Sequence, residues 1–274
     1  MKHFTTAKKI SEDTLYEIFN IAEGLEVAGP EIRFMQPLKG FVLANLFYEP
    51  STRTSSSFYA AMTKLGGSCI PINEVQYSSV SKGENLEDTI RTMGSYTDAI
   101  VLRSLNAGDA EIAASVSTVP IINAGDGSGE HPTQTLLDLY TIYKHFGRIT
   151  DLRITFAGDI ENGRTVHSLA EYLEPSCYIT LAEHYDNTLE NSLSDVDVLY
   201  MTRLQKERGT EGYYALTEEM IGKLNPEAIV LHPFPRNQEI PRSFDNDKRA
   251  KYFEQMQNGL FIRMSLLQKI LINR

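Results

Sequence analysis

The tetrapeptide Ser51-Thr52-Arg53-Thr54 combines side chains that suit a phosphate dianion. An apolar run at 41–47 precedes it and predicts a buried strand, and apolar residues at helical spacing follow it. The tetrapeptide is therefore predicted to form the first turn of a helix. Its backbone N–H groups, three hydroxyls and one guanidinium would meet where the helix dipole is positive, which favours phosphate binding. Ordinary helix capping by Ser and Thr is the alternative at this point.

His131-Pro132-Thr133-Gln134 predicts the start of a second helix, since proline is common in the first helical turn. His131 and Gln134 are three residues apart, so their side chains can face the same space. An imidazole N–H could polarise a carbonyl oxygen, while an amide oxygen could accept a hydrogen bond from an NH2 group. The pair would suit a carbamoyl-like group, and a purely structural histidine is the alternative.

Two further arginines are candidates for binding carboxylates. Arg164 follows a predicted strand in a segment that lacks the full Gly-x-Gly-x-x-Gly pattern, which disfavours a dinucleotide loop. Arg203 and Gln205 alternate as strand residues do and would share a face, and Arg208 adds a second cation nearby. The alternatives are a surface arginine at 164 and a solvated charge run at 206–207.

Predicted strands and helices alternate along most of the chain. The strands are short and continuously apolar, as parallel strands buried on both faces should be. They are predicted at 40–47, 69–72, 98–103, 119–124, 152–158, 177–183, 196–201 and 228–232, with helices at 84–96, 107–116, 132–146, 163–173 and 217–224. This alternation predicts an α/β fold with two doubly wound parallel-sheet domains linked by helices.

Ligands of such sheets bind beyond the carboxyl ends of the strands, and the candidate side chains occupy these ends. They are Ser51 to Thr54 after the first strand, Arg103 at the end of the third, His131 after the fourth, Arg164 after the fifth, Arg203 after the seventh and 232–235 after the eighth. The pattern predicts that they gather at the sheet edges.

A glycine-rich loop at 125–129 predicts a domain boundary. The expected domains are 1–130 and 131–257. A long helical pattern at about 248–272 carries one apolar stripe, and its last part, 258–274, is expected to pack back on the first domain.

Composition limits the classes of function. The net charge of −10 over 274 residues argues against nucleic-acid binding. Cys69 and Cys177 form neither a disulfide framework nor a metal-ligand pair, so a reducing compartment is favoured. Neither a signal-peptide core nor an apolar run of membrane-spanning length is evident. We therefore expect a cytoplasmic protein with no membrane partner, metal or cofactor.

Five motifs, taken in this order, resemble those of the aspartate carbamoyltransferase catalytic chains, in the aspartate/ornithine carbamoyltransferase superfamily. They are residues 51–54, 131–134, 159–167, 201–205 and 232–236. The resemblance implies carbamoyl transfer from carbamoyl phosphate to L-aspartate, giving N-carbamoyl-L-aspartate and phosphate, in de novo pyrimidine biosynthesis. It implies no metal or other cofactor.

The resemblance also implies roles for individual residues. Carbamoyl phosphate would be bound by Ser51, Thr52, Arg53, Thr54, Arg103, His131, Gln134 and the backbone carbonyls of Pro233 and Phe234. Aspartate would be bound by Arg164, Arg203, Gln205 and Lys82 from a neighbouring subunit. Arg53, Thr54 and His131 would stabilise the oxyanion during attack by the amine, and the departing phosphate could take the proton of the amine.

The implied assembly is a homotrimer in which a neighbour completes each site. Ser78 falls in the same donated loop as Lys82. Glu49 and Arg208 would steady the aspartate-binding arginines on domain closure. Regulatory chains are left open as further partners.

Two regions, 176–196 and 209–227, look shorter than in the family, which bears on the size of the second domain and on aspartate binding. One alternative is transfer to another amino acid such as ornithine, but Arg203 and Gln205 suit a second carboxylate, and the Ser-Met-Gly loop of the ornithine enzymes is missing. The other is a non-catalytic ligand-binding homologue, although the charged site residues are all retained.

Overall fold

The computed structural model describes residues 1–72, 83–183, 187–204 and 214–272. The chain divides into two compact units. The first comprises Met1–Leu136 and Gly259–Arg274, and the second comprises Leu137–Asn258. In the described residues each unit contains one four-stranded parallel sheet with flanking helices, which confirms the predicted α/β fold class.

The sheet of the first unit positions most of the predicted phosphate-binding residues. Its strands are β1 (Val42–Phe47), β2 (Ser68–Ile72), β3 (Ala99–Ser104) and β4 (Ile121–Asp126). Their order is β2-β1-β3-β4, and every neighbouring pair is parallel. The helices that follow the N-terminus and these strands are α1 (Glu12–Ala28), α2 (Ile32–Met35), α3 (Thr52–Lys64), α4 (Leu86–Gly94) and α5 (Asp109–Val116).

The sheet of the second unit repeats this arrangement. Its strands are β5 (Arg153–Gly158), β6 (Tyr178–Glu183), β7 (Val198–Met201) and β8 (Ile229–Leu231), in the order β6-β5-β7-β8. Its helices α7 (Arg164–Leu173), α8 (Thr188–Ser192) and α9 (Glu218–Lys223) lie between the strands along the chain. The apolar core of this unit includes Leu199, Val230 and Tyr252, all fully buried.

Burial differs between central and edge strands. The central strands β1 and β3 are buried along almost their whole length, as their continuous apolar sequences predict. The edge strands β2 and β6 instead expose several residues, so the prediction of burial on both faces is wrong for them. An edge strand has a neighbour on one side only, which leaves β2 and β6 less covered, whereas the strands at the opposite edges, β4 and β8, are buried throughout.

Two helices continue from one unit into the other along the chain. They are α6 (Pro132–Phe146) and α10 (Tyr252–Leu271). Within the first unit, the C-terminal part of α10 is bonded to α1: Ser265 Oγ donates to the Ile18 carbonyl at 2.6 Å, and Lys269 Nζ lies 2.6 Å from Glu17 Oε2. None of the helices in the described residues is long and apolar enough to cross a membrane.

Candidate active site

The turn between β1 and α3 presents the tetrapeptide predicted to bind phosphate. Ser51 occupies the N-cap position, but in the described part of the chain its hydroxyl makes no capping hydrogen bond to α3. Thr54 is buried, whereas Thr52 and Arg53 are exposed. The buried Asn45 of β1 fixes this turn, because its Nδ2 donates to the Ser55 carbonyl at 3.0 Å. The Ser51 hydroxyl is therefore not used for helix capping. The backbone N–H groups of the first turn of α3 point toward the end of β1.

Arg103 is the last residue but one of β3 and is one of the most buried cations of the first unit, at 7% exposure. Its Nε and Nη2 lie 2.9 and 2.7 Å from Oε2 of Glu49, and its Nη1 donates to the Ala124 carbonyl at 3.3 Å. Glu49 was expected to steady the aspartate-binding arginines. In the structure it pairs with Arg103, since β1 and β3 are neighbours and Phe47 is in register with Arg103, and its role on domain closure stays a prediction.

His131 contacts the same guanidinium. Its Nε2 lies 3.3 Å from Nη1 of Arg103. A guanidinium can only donate, so Nε2 accepts, and the neutral ring carries its proton on Nδ1. The His131 carbonyl accepts the backbone N–H groups of Gln134 and Thr135, at 3.0 and 3.1 Å, and so caps α6.

A glycine lies beside the contact between Arg103 and His131, in a backbone conformation that side chains rarely adopt. Gly125 has φ of +120°, and a Cβ at this position would lie 3.4 Å from both Arg103 Nη1 and His131 Cδ2. The loop that follows is tied down by Asp126, which accepts the backbone N–H groups of Gly108 and Glu130, each at 2.9 Å. These bonds fix the entry of the chain into α6 and hence the position of His131.

The first unit therefore brings Ser51 to Thr54, Arg103 and His131 to the carboxyl edge of one parallel sheet. The contact between Arg103 and His131 is the feature that the sequence did not predict, since it placed these two residues only at the ends of different strands. Gln134, half-buried, lies in the first turn of α6. This edge offers a concentration of hydrogen-bond donors suited to an anion with a carbonyl group beside it.

In the second unit, Arg164 and Arg203 follow the neighbouring strands β5 and β7. Arg164 is the first residue of α7, and Arg203 is half-buried just beyond β7. Gly158 allows these strand ends to approach, because a Cβ there would lie 2.2 Å from the Thr202 carbonyl oxygen. Asp159 closes the loop by accepting from the Asn162 backbone N–H at 3.2 Å.

The segment after β8 is held by polar groups on both sides. The guanidinium of Arg236 pairs with the carboxylate of Asp245, with Nη2 3.0 Å from Oδ2, and Tyr252 OH donates to Asp245 Oδ1 at 2.5 Å. The hydrogen bond from Arg236 holds the pKa of Asp245 below its ordinary value, although burial opposes it. Between β8 and Arg236, Phe234 adopts φ of +56° and is followed by a cis peptide bond to Pro235.

Four residues named from the sequence, Ser78, Lys82, Gln205 and Arg208, lie outside the described residues. Within the described ranges, no group of three or more His, Cys, Asp and Glu side chains could hold a metal ion. Sequence reasoning did not identify Gln255, Asp138 and Glu239, which hold the segment after β8 and have no local motif.

Comparison with protein families gives a match for both parts of the chain. Residues 2–144 match the model of the carbamoyl-phosphate-binding domain of aspartate/ornithine carbamoyltransferases, and residues 179–270 match the model of the aspartate/ornithine-binding domain. The multifunctional protein CAD of Squalus acanthias is 44% identical over 98% of this chain, which spans 13% of the length of CAD. That alignment covers 301 positions, more than the 274 residues of this chain, so the relative has segments with no counterpart here.

Two solved structures are similar over nearly their whole length. The catalytic subunit of the M. jannaschii aspartate transcarbamoylase has a TM-score of 0.90 and 41% identity, covering 100% of this chain and 99% of that chain. The Trypanosoma cruzi aspartate transcarbamoylase in complex with carbamoyl phosphate and aspartate has a TM-score of 0.89 and 35% identity, covering 98% and 95% of the two chains. The chain therefore belongs to the aspartate/ornithine carbamoyltransferase family and is a homologue of the aspartate carbamoyltransferase catalytic chains.

Proposed function

We propose that this protein is an aspartate carbamoyltransferase, which converts carbamoyl phosphate and L-aspartate to N-carbamoyl-L-aspartate and phosphate in de novo pyrimidine biosynthesis. The observation that carries the proposal is the 3.3 Å contact between Arg103 and His131 at the sheet edge that also presents Ser51 to Thr54. The relatives named aspartate carbamoyltransferase, and the solved complex with both substrates, support the same reaction.

The first unit is assigned to carbamoyl phosphate. Ser51 to Thr54 and Arg103 bind the phosphate, His131 binds the carbamoyl oxygen, and Gln134 binds the carbamoyl NH2. The phosphate dianion competes with Glu49 for Arg103. When Arg103 turns to the dianion, Nε2 of His131 no longer accepts from it and can carry the ring proton toward the carbamoyl oxygen.

Orientation and charge stabilisation supply most of the catalysis, because the carbonyl of carbamoyl phosphate is already activated. The aspartate amine forms a bond to the carbamoyl carbon, and the bond from that carbon to the phosphate oxygen breaks. Arg53, Thr54 and His131 stabilise the negative charge on the carbonyl oxygen between these events. The departing phosphate accepts the proton that the amine loses.

The second unit is assigned to aspartate and to hydrogen bonds from the carbamoyl NH2. Arg164, Arg203 and Gln205 bind the two carboxylates, and the backbone carbonyls of Pro233 and Phe234 accept hydrogen bonds from the carbamoyl NH2. Lys82 from a neighbouring subunit completes the site in a homotrimer, and this assignment rests on the family. Native mass spectrometry tests the trimer and would reveal regulatory chains as additional mass. A cytoplasmic location remains a prediction from the sequence.

A phosphate-release assay tests the reaction. Purified protein is mixed with carbamoyl phosphate, with and without L-aspartate, and phosphate is measured over time. The proposal predicts release that depends on aspartate and is matched by equal amounts of carbamoylated product. Release at the same rate without aspartate, or no release, would contradict it.

A further inference from the structure

The backbone of Phe234 is held in a conformation that a phenylalanine adopts only with support. Its φ of +56° lies in the left-handed region that favours glycine. The support comes from His232, whose Nδ1 accepts the Phe234 N–H at 2.8 Å. The two rings also pack edge to face, with centroids 5.3 Å apart. The shape of the turn therefore depends on one ring nitrogen.

This hydrogen bond fixes the tautomer of His232. A backbone N–H can only donate, so Nδ1 is unprotonated and the neutral ring carries its proton on Nε2. Nε2 lies 2.8 Å from Oε1 of Glu239, which also accepts the Asn237 backbone N–H at 3.0 Å. Burial raises the pKa of Glu239, but the hydrogen bonds from His232 and Asn237 outweigh it, so the pKa is lowered overall and Glu239 is a carboxylate.

A second connection holds the backbone of His232. Its N–H donates to Oε1 of Gln255 at 2.9 Å, and Nε2 of Gln255 donates to Oδ1 of Asp138 at 2.6 Å. Tyr200 OH donates to the other oxygen of Asp138 at 2.9 Å. Asp138, Gln255, His232 and Glu239 are at most 4% exposed. We call these four residues the turn network.

Burying the charged and polar groups of the turn network costs desolvation free energy. Apolar residues of similar volume usually stabilise a buried position as well as ionised groups do. A fully bonded polar network, in contrast, specifies one geometry. The geometry specified here is that of residues 232–234, whose carbonyls are assigned to the carbamoyl NH2.

We infer that His232 is a positioning residue for carbamoyl phosphate: through Nδ1 it holds the Pro233 and Phe234 carbonyls where they accept from the carbamoyl NH2. This inference rests on the proposed function. His232 itself does not touch the substrate, and Glu239 and Gln255 act by fixing its tautomer and its backbone.

Two substitutions separate the two ring nitrogens. His232→Asn keeps an acceptor near the position of Nδ1, whereas His232→Gln keeps a donor near the position of Nε2 and loses that acceptor. For each variant we would measure the KM for carbamoyl phosphate and the inhibition constant of inorganic phosphate, which carries no NH2 group. His232→Gln is expected to raise the KM about tenfold, as for one lost hydrogen bond, with the phosphate constant unchanged. His232→Asn is expected to change neither constant by more than about twofold.

Val198→Ala is the stability control, because Val198 is a fully buried residue of β7 that is not a member of the turn network, and its truncation opens a cavity in the core of the second unit. It should lower the melting temperature and leave the ratio of the two constants unchanged. If His232→Gln fails to fold, Glu239→Met and Glu239→Gln are compared instead. Only Glu239→Gln keeps an acceptor for the N–H at Nε2 of His232. The Met variant is then expected to raise the ratio.

The inference would be overturned if His232→Gln raised the KM for carbamoyl phosphate and the inhibition constant of phosphate equally. Equal effects of His232→Asn and His232→Gln would overturn it too. Either result would leave His232 with a role in the stability of the fold alone. Lack of carbamoyl transfer by the unsubstituted protein would instead overturn the proposed function, before any variant is compared.

Discussion

Glu49 and Arg103 form a partly buried ion pair at the carboxyl edge of the first sheet, with Oε2 of Glu49 2.7 Å from Nη2 of Arg103. Glu49 is paired with the guanidinium that is assigned to the phosphate of carbamoyl phosphate. A dianion presents more charge than one carboxylate, so ligand binding is expected to displace Glu49. The pair keeps the buried cation neutralised until the ligand arrives.

Replacing Arg103 separates this stabilising role from the binding role. Arg103→Met should lower the free energy of unfolding by about 1–3 kcal/mol, because Glu49, 27% exposed, loses its partner. The double variant Arg103→Met/Glu49→Gln should recover part of that loss without recovering carbamoyl transfer. Urea denaturation and steady-state rates check the two effects. A double variant no more stable than the single one would show that the unpaired Glu49 carboxylate is not the cause of the loss.

Arg53→Ala should abolish turnover with the fold intact, because Arg53 is exposed on the first turn of α3 and is assigned to the phosphate and the oxyanion. Loss of one oxyanion donor typically costs a factor of about 100–1000 in kcat. Arg148→Ala removes another exposed arginine, outside the candidate site, and serves as the matched control. Near-normal activity of Arg53→Ala would refute the phosphate assignment.

Arg203→Ala should raise the KM for aspartate by at least about tenfold, the effect of one lost charge-assisted hydrogen bond, and the KM for carbamoyl phosphate far less. Arg153→Ala is its control, since Arg153 is an exposed arginine of the same unit paired with Asp195. Equal rises in both KM values would mean that Arg203 is not part of the aspartate site.

Mixed trimers test the contribution of Lys82 from a neighbouring subunit. Lys82→Ala and Arg53→Ala chains are each expected to be inactive. After unfolding and refolding together in equal amounts, about one quarter of the sites should combine intact Arg53 with intact Lys82, because the chains assort at random around a ring. Refolded mixtures without recovered activity would argue against shared sites.

Acid should weaken the second unit through Glu239. Its folded-state pKa is lowered, because the hydrogen bonds from His232 and Asn237 outweigh the raising effect of burial. The stability it contributes is therefore complete above its ordinary pKa of 4.5 and is lost as the pH falls through the lower folded value. Melting temperatures measured from pH 7 toward acid should fall less steeply for Glu239→Gln. Parallel curves would remove Glu239 as the source of the effect.

The strands and the edges that carry the site could be predicted from the sequence. Continuous apolar runs such as 41–47 report burial in a parallel sheet, and parallel strands bring their carboxyl ends to one edge. The N-terminal helix α1 was not among the predicted helices, although Ser11 caps it by accepting from the Thr14 N–H. Its buried residues Leu15, Ile18, Phe19, Ala22 and Leu25 recur at helical spacing, so this helix was open to prediction from the sequence and was missed.

Contacts between distant side chains could not be predicted in this way. The pairing of Glu49 with Arg103 depends on the register between β1 and β3, which neither strand encodes alone. The bond between Gln255 and Asp138 joins residues 117 positions apart. Local periodicity contains no information about such pairs, so the turn network became visible only in the structure.

A competition assay tests the central claim most directly. Equal concentrations of L-aspartate and L-ornithine are offered with limiting carbamoyl phosphate, and the carbamoylated products are identified by mass spectrometry. The account predicts N-carbamoyl-L-aspartate as the product, since Arg203 and Arg164 favour a dicarboxylate over a cationic side chain. Predominant carbamoylation of ornithine, or no carbamoylated amino acid, would contradict it.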